Sequence, residues 1–137
     1  MTLPLPTLDH PATGTLAQGE VTVSRLGTEM SLSISNTADL PSDGKIYAFI
    51  LSDKTDDPES PSWSGQKTHA TETGDWYVLP GEDPEDGEFR RRINIQVNIP
   101  KSELQKHTGE KIYVGYTAVA SESGVTESSG TIELTVT

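Results

Sequence analysis

The chain has 137 residues, a formal net charge of −11 from 21 acidic and 10 basic residues, and no cysteine. This length fits one domain with a two-layer core, and the lack of cysteine excludes disulfides and thiolate metal sites. The negative charge, without a basic stripe, argues against nucleic acid and anionic membranes as partners. We expect no Sec signal peptide, because the N-terminal residues lack a basic region, and no membrane insertion, because no apolar run is long enough.

Residues 1–18 are rich in proline and predict an extended lead-in along a sheet edge, because proline lacks the N–H group that a central strand needs. The alternation of Val21 and Val23 then predicts a strand over residues 20–26. A second strand is predicted over residues 29–35, with Met30, Leu32 and Ile34 on one face. These two strands are expected to form a hairpin or a pair that crosses between two sheets.

Residues 40–44, Leu-Pro-Ser-Asp-Gly, predict a turn, since proline presets φ and Asp-Gly tolerates the positive φ of a tight reversal. The run that follows, residues 46–51, is the most apolar of the chain. Because it is hydrophobic on both faces, we expect it to be a central strand.

Residues 52–89 differ in character from the rest of the chain. They hold 11 of the 21 acidic residues against two lysines, and both tryptophans. Short edge strands are predicted over residues 66–73 and 76–79, with solvated loops over residues 53–62 and 80–88. This stretch is expected to be an acidic, loop-rich insertion.

The last third returns to regular alternation. Strands are predicted over residues 91–99, 111–120 and 131–137, with a single helical turn at 102–106 and a Ser- and Gly-rich loop at 121–130. Seven or eight such strands indicate an all-β fold, an antiparallel immunoglobulin-like β-sandwich formed as a single domain over residues 1–137, with a small barrel as the alternative. The residues predicted to be core are Ile46, Ile95, Val97, Val114, Tyr116 and Leu134.

The same segments carry a resemblance to a known family. Residues 97–104 read V-N-I-P-K-S-E-L, residues 109–117 read G-E-K-I-Y-V-G-Y-T, and residues 128–136 supply a final alternating strand. This pattern resembles the end of bacterial Ig-like repeats of large surface proteins in Pseudomonas-like bacteria. The resemblance implies a non-enzymatic structural or interaction module of a bacterial surface or a phage-like particle, serving adhesion, decoration or spacing. It supplies no catalytic residues.

The residues themselves give little support for catalysis or for zinc. His10, His69 and His107 have no neighbouring nucleophile motif such as G-x-S-x-G, and they are too far apart for a local zinc site. We therefore expect surface histidines and no enzyme activity.

Calcium is the one cation for which the sequence offers ligands, and no other cofactor is expected. Carboxylate oxygens suit calcium, although neither acidic stretch has the spacing of an EF-hand. The two candidate sets are Asp53, Asp56, Asp57 and Glu59, and Glu82, Asp83, Glu85, Asp86 and Glu88. Solvated acidic loops are the alternative explanation.

Candidate partner contacts are the aromatic residues of the acidic stretch, Trp63, Trp76 and Tyr77. Trp63 has no apolar neighbours in sequence and is the better surface contact, whereas Trp76, beside Tyr77, predicts core or edge packing. The expected partner is a protein or a surface glycan. The alternative function is a small carbohydrate-binding module that uses these rings beside carboxylates.

Overall fold

The computed structural model describes residues 3–9, 12–14 and 18–137, and within them the fold is all-β. The described residues form thirteen strands, one α-helix, α1 (Lys101–Gln105), and two 3-10 turns, Val23–Arg25 and Pro84–Asp86. The strands are β1 (Thr7–Leu8), β2 (Thr13–Gly14), β3 (Gln18–Val21), β4 (Glu29–Ser33), β5 (Gly44–Leu51), β6 (Trp63–Ser64), β7 (Thr71–Glu72), β8 (Gly74–Tyr77), β9 (Glu88–Arg91), β10 (Gln96–Pro100), β11 (Lys111–Ala120), β12 (Thr126–Ser128) and β13 (Ile132–Val136).

The strands form three sheets. The first has the order β1-β4-β10, and the second has the order β2-β3-β13-β11-β5-β6, with β12 on β11 and β7 on β5. The third is the antiparallel pair β8–β9, termed the hairpin from here on. Pairing between the strands is antiparallel except for β3 with β13, which run parallel. The chain therefore returns at its end to the strand near its beginning.

Buried apolar side chains of the two larger sheets meet in one core. All six residues predicted to be core, Ile46, Ile95, Val97, Val114, Tyr116 and Leu134, are buried, which confirms the strand parity derived from the alternation. Burying an aliphatic or aromatic side chain of this size contributes about 1.5–3 kcal/mol. Leu104 of α1 is also fully buried, so the predicted helical turn exists and closes part of the core.

Strand β5 is central, as its apolar character predicts. It pairs with β11 along its whole length, from Gly44 opposite Ala120 to Leu51 opposite Tyr113. Its other edge is covered by β6 and β7. Phe49 and Leu51 are buried although their parity is opposite to that of Ile46, so both faces of this strand are covered.

The structure corrects two expectations about strand bounds. The strand predicted over residues 91–99 is broken, because Asn94 adopts φ 56° and the chain leaves β9 for β10 of another sheet, which leaves Ile93 71% exposed. The strand predicted over residues 20–26 stops at Val21, and a 3-10 turn follows. The strand that starts at Glu29 lies in the first sheet, so β3 and β4 cross between the two large sheets, which is the second of the two arrangements expected for them.

The acidic stretch and the loop after β11 differ in detail from the expectation. Of the two predicted edge strands, the first is only two residues long, and the second, β8, pairs with β9 instead of covering a sheet edge. The predicted loop 121–130 contains a short strand, β12, that pairs with β11. In the lead-in before β3, the short strands β1 and β2 pair at sheet edges, while Pro11 lies outside the described residues.

The buried phenol of Tyr116 makes the stability of the fold depend on pH. Its hydroxyl donates a hydrogen bond to the Pro4 carbonyl oxygen at 2.7 Å, and burial raises the pKa of the phenol to about 12. The folded state therefore favours the neutral phenol. Its contribution to stability is complete below the unfolded-state pKa near 10 and is lost as the pH rises through about 12.

We expect the near-ultraviolet absorbance of tyrosinate in the native protein to include one step near pH 12 that Tyr116→Phe removes. Unfolded protein should instead ionise all four tyrosines near pH 10. Loss of a step near pH 10 in the native variant would show that this phenol is accessible to water.

Candidate functional site

The candidate site lies at the end of the large sheets where β5 begins and β11 ends. Gly44 and Ala120 are paired there. The hairpin is anchored beside them, since the Thr73 N–H donates to the Gly44 carbonyl at 3.0 Å and the Arg92 N–H donates to the Thr73 carbonyl at 2.9 Å. This region is termed the hairpin end. It joins the connection before β5, the connection after β11 and the hairpin.

Close backbone contact holds the hairpin in place. A side chain at Gly74, the first residue of β8, would overlap the Ser42 carbonyl oxygen, and its Cβ would lie 2.7 Å from the Arg90 carbonyl oxygen. Only glycine permits this approach without displacement of the backbone. The distance between the hairpin and the turn at Ser42 is thus set by the absence of a side chain at one position.

One face of the hairpin carries Trp76 opposite Phe89. The two rings pack edge to face with centroids 5.0 Å apart, and the indole N–H of Trp76 donates to the Pro84 carbonyl oxygen at 2.8 Å. Even so, Trp76 is 47% exposed and Phe89 is 38% exposed. The rings are fixed in orientation and remain accessible, which lowers the entropy cost of binding a partner.

The other face of the hairpin is charged. The Arg90 guanidinium lies over the Tyr77 ring, 3.8 Å from its centroid, and also pairs with Glu88 at 3.2 Å. Arg92 binds Asp75 through two hydrogen bonds of 2.8 and 2.6 Å, which lower the pKa of the Asp75 carboxyl group. Arg90 and Arg92 are thus used for local ion pairs on this face.

A groove runs beside Trp76 and Phe89 at the hairpin end, and the connections before β5 and after β11 form its other wall. A second depression continues it and shares Pro41 and Ala120 with it. The two together are termed the hairpin groove. Its apolar lining includes Trp76, Phe89 and Val125, and its carboxylates come from Asp39, Asp43, Glu122 and Glu127.

The hairpin groove carries uncompensated negative charge. No basic residue lines it, and none of its four carboxylates forms an ion pair with a basic residue in the part of the chain that the structure describes. Arg91 lies on the Phe89 face of the hairpin, but its guanidinium donates to the Ala38 carbonyl oxygen and does not line the groove.

The two tryptophans lie in different environments. Trp63 is half-buried and packs against the core, and its ring meets His69 edge to face with centroids 5.9 Å apart. Although the neighbours of Trp63 in sequence are polar, the pairing of β6 with β5 brings its ring to the sheet. Trp76 is exposed rather than core. Contact of Trp63, Trp76 and Tyr77 with a partner stays a prediction.

Three of the four acidic residues in the first set considered for calcium accept local hydrogen bonds. In the first set, Asp53 accepts hydrogen bonds from the Thr55 N–H and hydroxyl, each at 3.0 Å, and these bonds lower the pKa of its carboxyl group. Asp56 accepts from the Asp53 N–H, and Asp57 accepts from the Glu59 N–H. Such bonds are typical of Asx turns. The loop is therefore held by its own carboxylates.

Geometry for a metal ion is missing in the described ranges 3–9, 12–14 and 18–137, where no group of three or more His, Asp or Glu side chains is arranged to hold one. The second acidic set lies in and after the hairpin loop, exposed to solvent. We derive no cation site from either set. His10 lies outside the described residues, while His69 and His107 are half-buried, and His107 Nδ1 lies 3.4 Å from Glu110.

Sequence reasoning found Trp76 and Tyr77 but missed Phe89 and the groove carboxylates. The sequence does contain a signal for the hairpin, since a loop rich in proline and glycine separates the run that holds Trp76 from the run that holds Phe89, and the two runs pair. Asp43 and Glu122 are far apart in sequence, so only the pairing of β5 with β11 brings their loops together.

Comparison with protein-family models, curated proteins and solved structures found no match for this chain. Of the helices that the described residues form, none has the length and apolar character needed to cross a bilayer.

Proposed function

We propose that this protein is a non-enzymatic interaction module, a single immunoglobulin-like sandwich that serves adhesion, decoration or spacing on a bacterial surface or a phage-like particle. Its partner contact is the hairpin end. The proposal has two parts, the type of fold and the location of the binding face, and each has its own support.

The immunoglobulin-like fold is supported by strand order. In that fold one sheet contains strands A, B and E in neighbouring positions, and the other contains G, F and C. The orders β1-β4-β10 and β13-β11-β5 match this arrangement. The hairpin then falls between strands C and E, in the acidic stretch where the chain departs from the repeat pattern it resembles.

The observation that carries the binding face is the clustering of exposed apolar rings on one hairpin. Trp76, Tyr77 and Phe89 are exposed by 38–47%, and Leu79 directly beyond β8 is also exposed. Exposed aromatic residues held in fixed positions are frequent anchors of protein interfaces. Loops on a rigid scaffold are also where binding residues gather.

A peptide display library and a glycan array test this proposal when both are screened with the wild-type protein and Trp76→Ala. We expect the wild type to enrich peptides whose binding is weakened by about 2 kcal/mol in Trp76→Ala, the loss typical of an anchor residue. Trp76→Phe, which keeps a ring, should retain most of the binding. Ile93→Ala, an exposed apolar position outside the hairpin, should bind as the wild type does.

Melting curves of each variant show whether lost binding reflects unfolding. If no enriched peptide distinguishes Trp76→Ala from Ile93→Ala, the hairpin end is not the interface. Trp76-dependent binding on the glycan array without any on the peptide library would favour the carbohydrate-binding alternative.

A further inference from the structure

We propose that the hairpin groove binds a basic, partly apolar segment of a protein partner, with an arginine or lysine side chain against the Trp76 ring and the carboxylates of Asp43 and Glu122. The inference rests on the proposed function and names the chemistry of its partner. It follows from the charge of the groove, from the orientation of its rings and from a contact on the opposite face of the hairpin.

Charge complementarity is the first support. Four carboxylates line the groove without a compensating basic residue among its described lining. The guanidinium groups of Arg92 and Arg90 on the hairpin are already paired, with Asp75 and Glu88, and neither lines the groove. The total charge of −11 adds a long-range attraction that speeds association with a cationic partner.

The two faces of the hairpin give the second support. On the outer face, a guanidinium of this chain lies 3.8 Å from the centroid of an aromatic ring, the contact of Arg90 with Tyr77. On the groove face, Trp76 has no such cation among the groove-lining residues, although indole is the best ring for a cation–π contact. Carboxylates of Asp43 and Glu122 line the same groove. A partner's basic side chain would supply the missing cation.

A peptide fits this groove better than a neutral glycan does. The Trp76 N–H is already used by the Pro84 carbonyl oxygen, so the indole offers its ring and no free donor. The carboxylates accept hydrogen bonds and also gain Coulomb energy from a cation, which a neutral sugar does not provide. The apolar lining at Val125 and Pro41 suits aliphatic side chains placed between basic ones.

Fluorescence polarisation with labelled synthetic peptides of equal length, of alternating Arg-Leu, Ser-Leu, Glu-Leu and Arg-Gly sequence, tests the inference. We expect Arg-Leu to bind about tenfold more tightly than Ser-Leu, with Arg-Gly between them and Glu-Leu weakest. The double variant Asp43→Asn/Glu122→Gln should weaken Arg-Leu binding about tenfold. Trp76→Ala should weaken it by a similar factor.

The matched control is Asp57→Asn/Glu59→Gln, which changes the net charge equally in the loop after β5, at the opposite end of that strand. It should weaken Arg-Leu binding less than about twofold, since long-range charge is screened at physiological salt. If the two double variants weaken Arg-Leu binding equally, net charge alone explains the attraction, and the inference is overturned.

Failure of the inference can be told apart from failure of the proposed function. If Ser-Leu binds as tightly as Arg-Leu and still depends on Trp76, the hairpin end is an interface but its partner is not basic. If Trp76→Ala weakens the binding of no peptide, whatever its composition, both the inference and the proposed interface at the hairpin end are contradicted. A neutral glycan that binds through Trp76 while every peptide fails would also overturn the basic-segment inference.

Discussion

Replacing Val114 by Asp is expected to unfold the protein. Val114 is fully buried at the centre of β11, between its pairing partners Ile50 of β5 and Ile132 of β13. A carboxylate there would have no charged or hydrogen-bonding partner in the apolar core. We expect a loss of more than about 4 kcal/mol, a large part of the stability of an ordinary domain. Circular dichroism and chemical denaturation would measure it.

Val125→Asp is the matched control, because it makes the same substitution at a valine that is 58% exposed. Its stability should stay within about 0.5 kcal/mol of the wild type. A Val114→Asp variant that melts with the wild type would mean that the core-facing parity of β11 is wrong. The assignment of core-facing residues in β5 and β13 would then be wrong as well, since both strands pair with β11 in a fixed register.

Replacing Gly74 by Ala is expected to move the hairpin away from the turn at Ser42 and to abolish binding of the Arg-Leu peptide. The new methyl group would overlap the Ser42 carbonyl oxygen, which belongs to the backbone of the groove wall. The strand must therefore move, at a cost of about 1–3 kcal/mol. Trp76 and Phe89 would move with it, away from the carboxylates across the groove.

The control for this variant is Gly27→Ala, because a methyl group at Gly27 would meet no atom within 4 Å. It should leave both stability and binding unchanged. Denaturation curves and peptide affinity together report the outcome. Wild-type affinity in Gly74→Ala would show that binding does not need the contact of β8 with the turn at Ser42.

The sequence predicted the fold well where one physical signal dominates. Apolar residues on both faces identified β5 as central, and strict alternation identified β11 and β13 with the correct inward residues. Apolar alternation gave a wrong prediction at Ile93, because the alternating pattern continues through the point where the chain passes from one sheet to another. Only the left-handed backbone of Asn94 breaks the strand there, and side-chain periodicity does not report φ.

The candidate site was harder to predict because its parts come from distant segments. Trp63 has polar neighbours, yet the pairing of β6 with β5 brings it to the core. Trp76 has apolar neighbours, yet the hairpin leaves it exposed. The neighbours of each ring in sequence thus do not report how far it is buried, since burial depends on long-range pairing that they do not encode.

The location of the interface can be tested through the two indole N–H groups of the chain, one for each tryptophan. Their signals in a proton–nitrogen correlation spectrum can be assigned with Trp63→Phe and Trp76→Phe and followed during titration with the Arg-Leu peptide. We expect the Trp76 signal to shift saturably while the Trp63 signal stays in place. A shift of Trp63 alone, or binding that moves neither signal, would place the partner elsewhere on the protein.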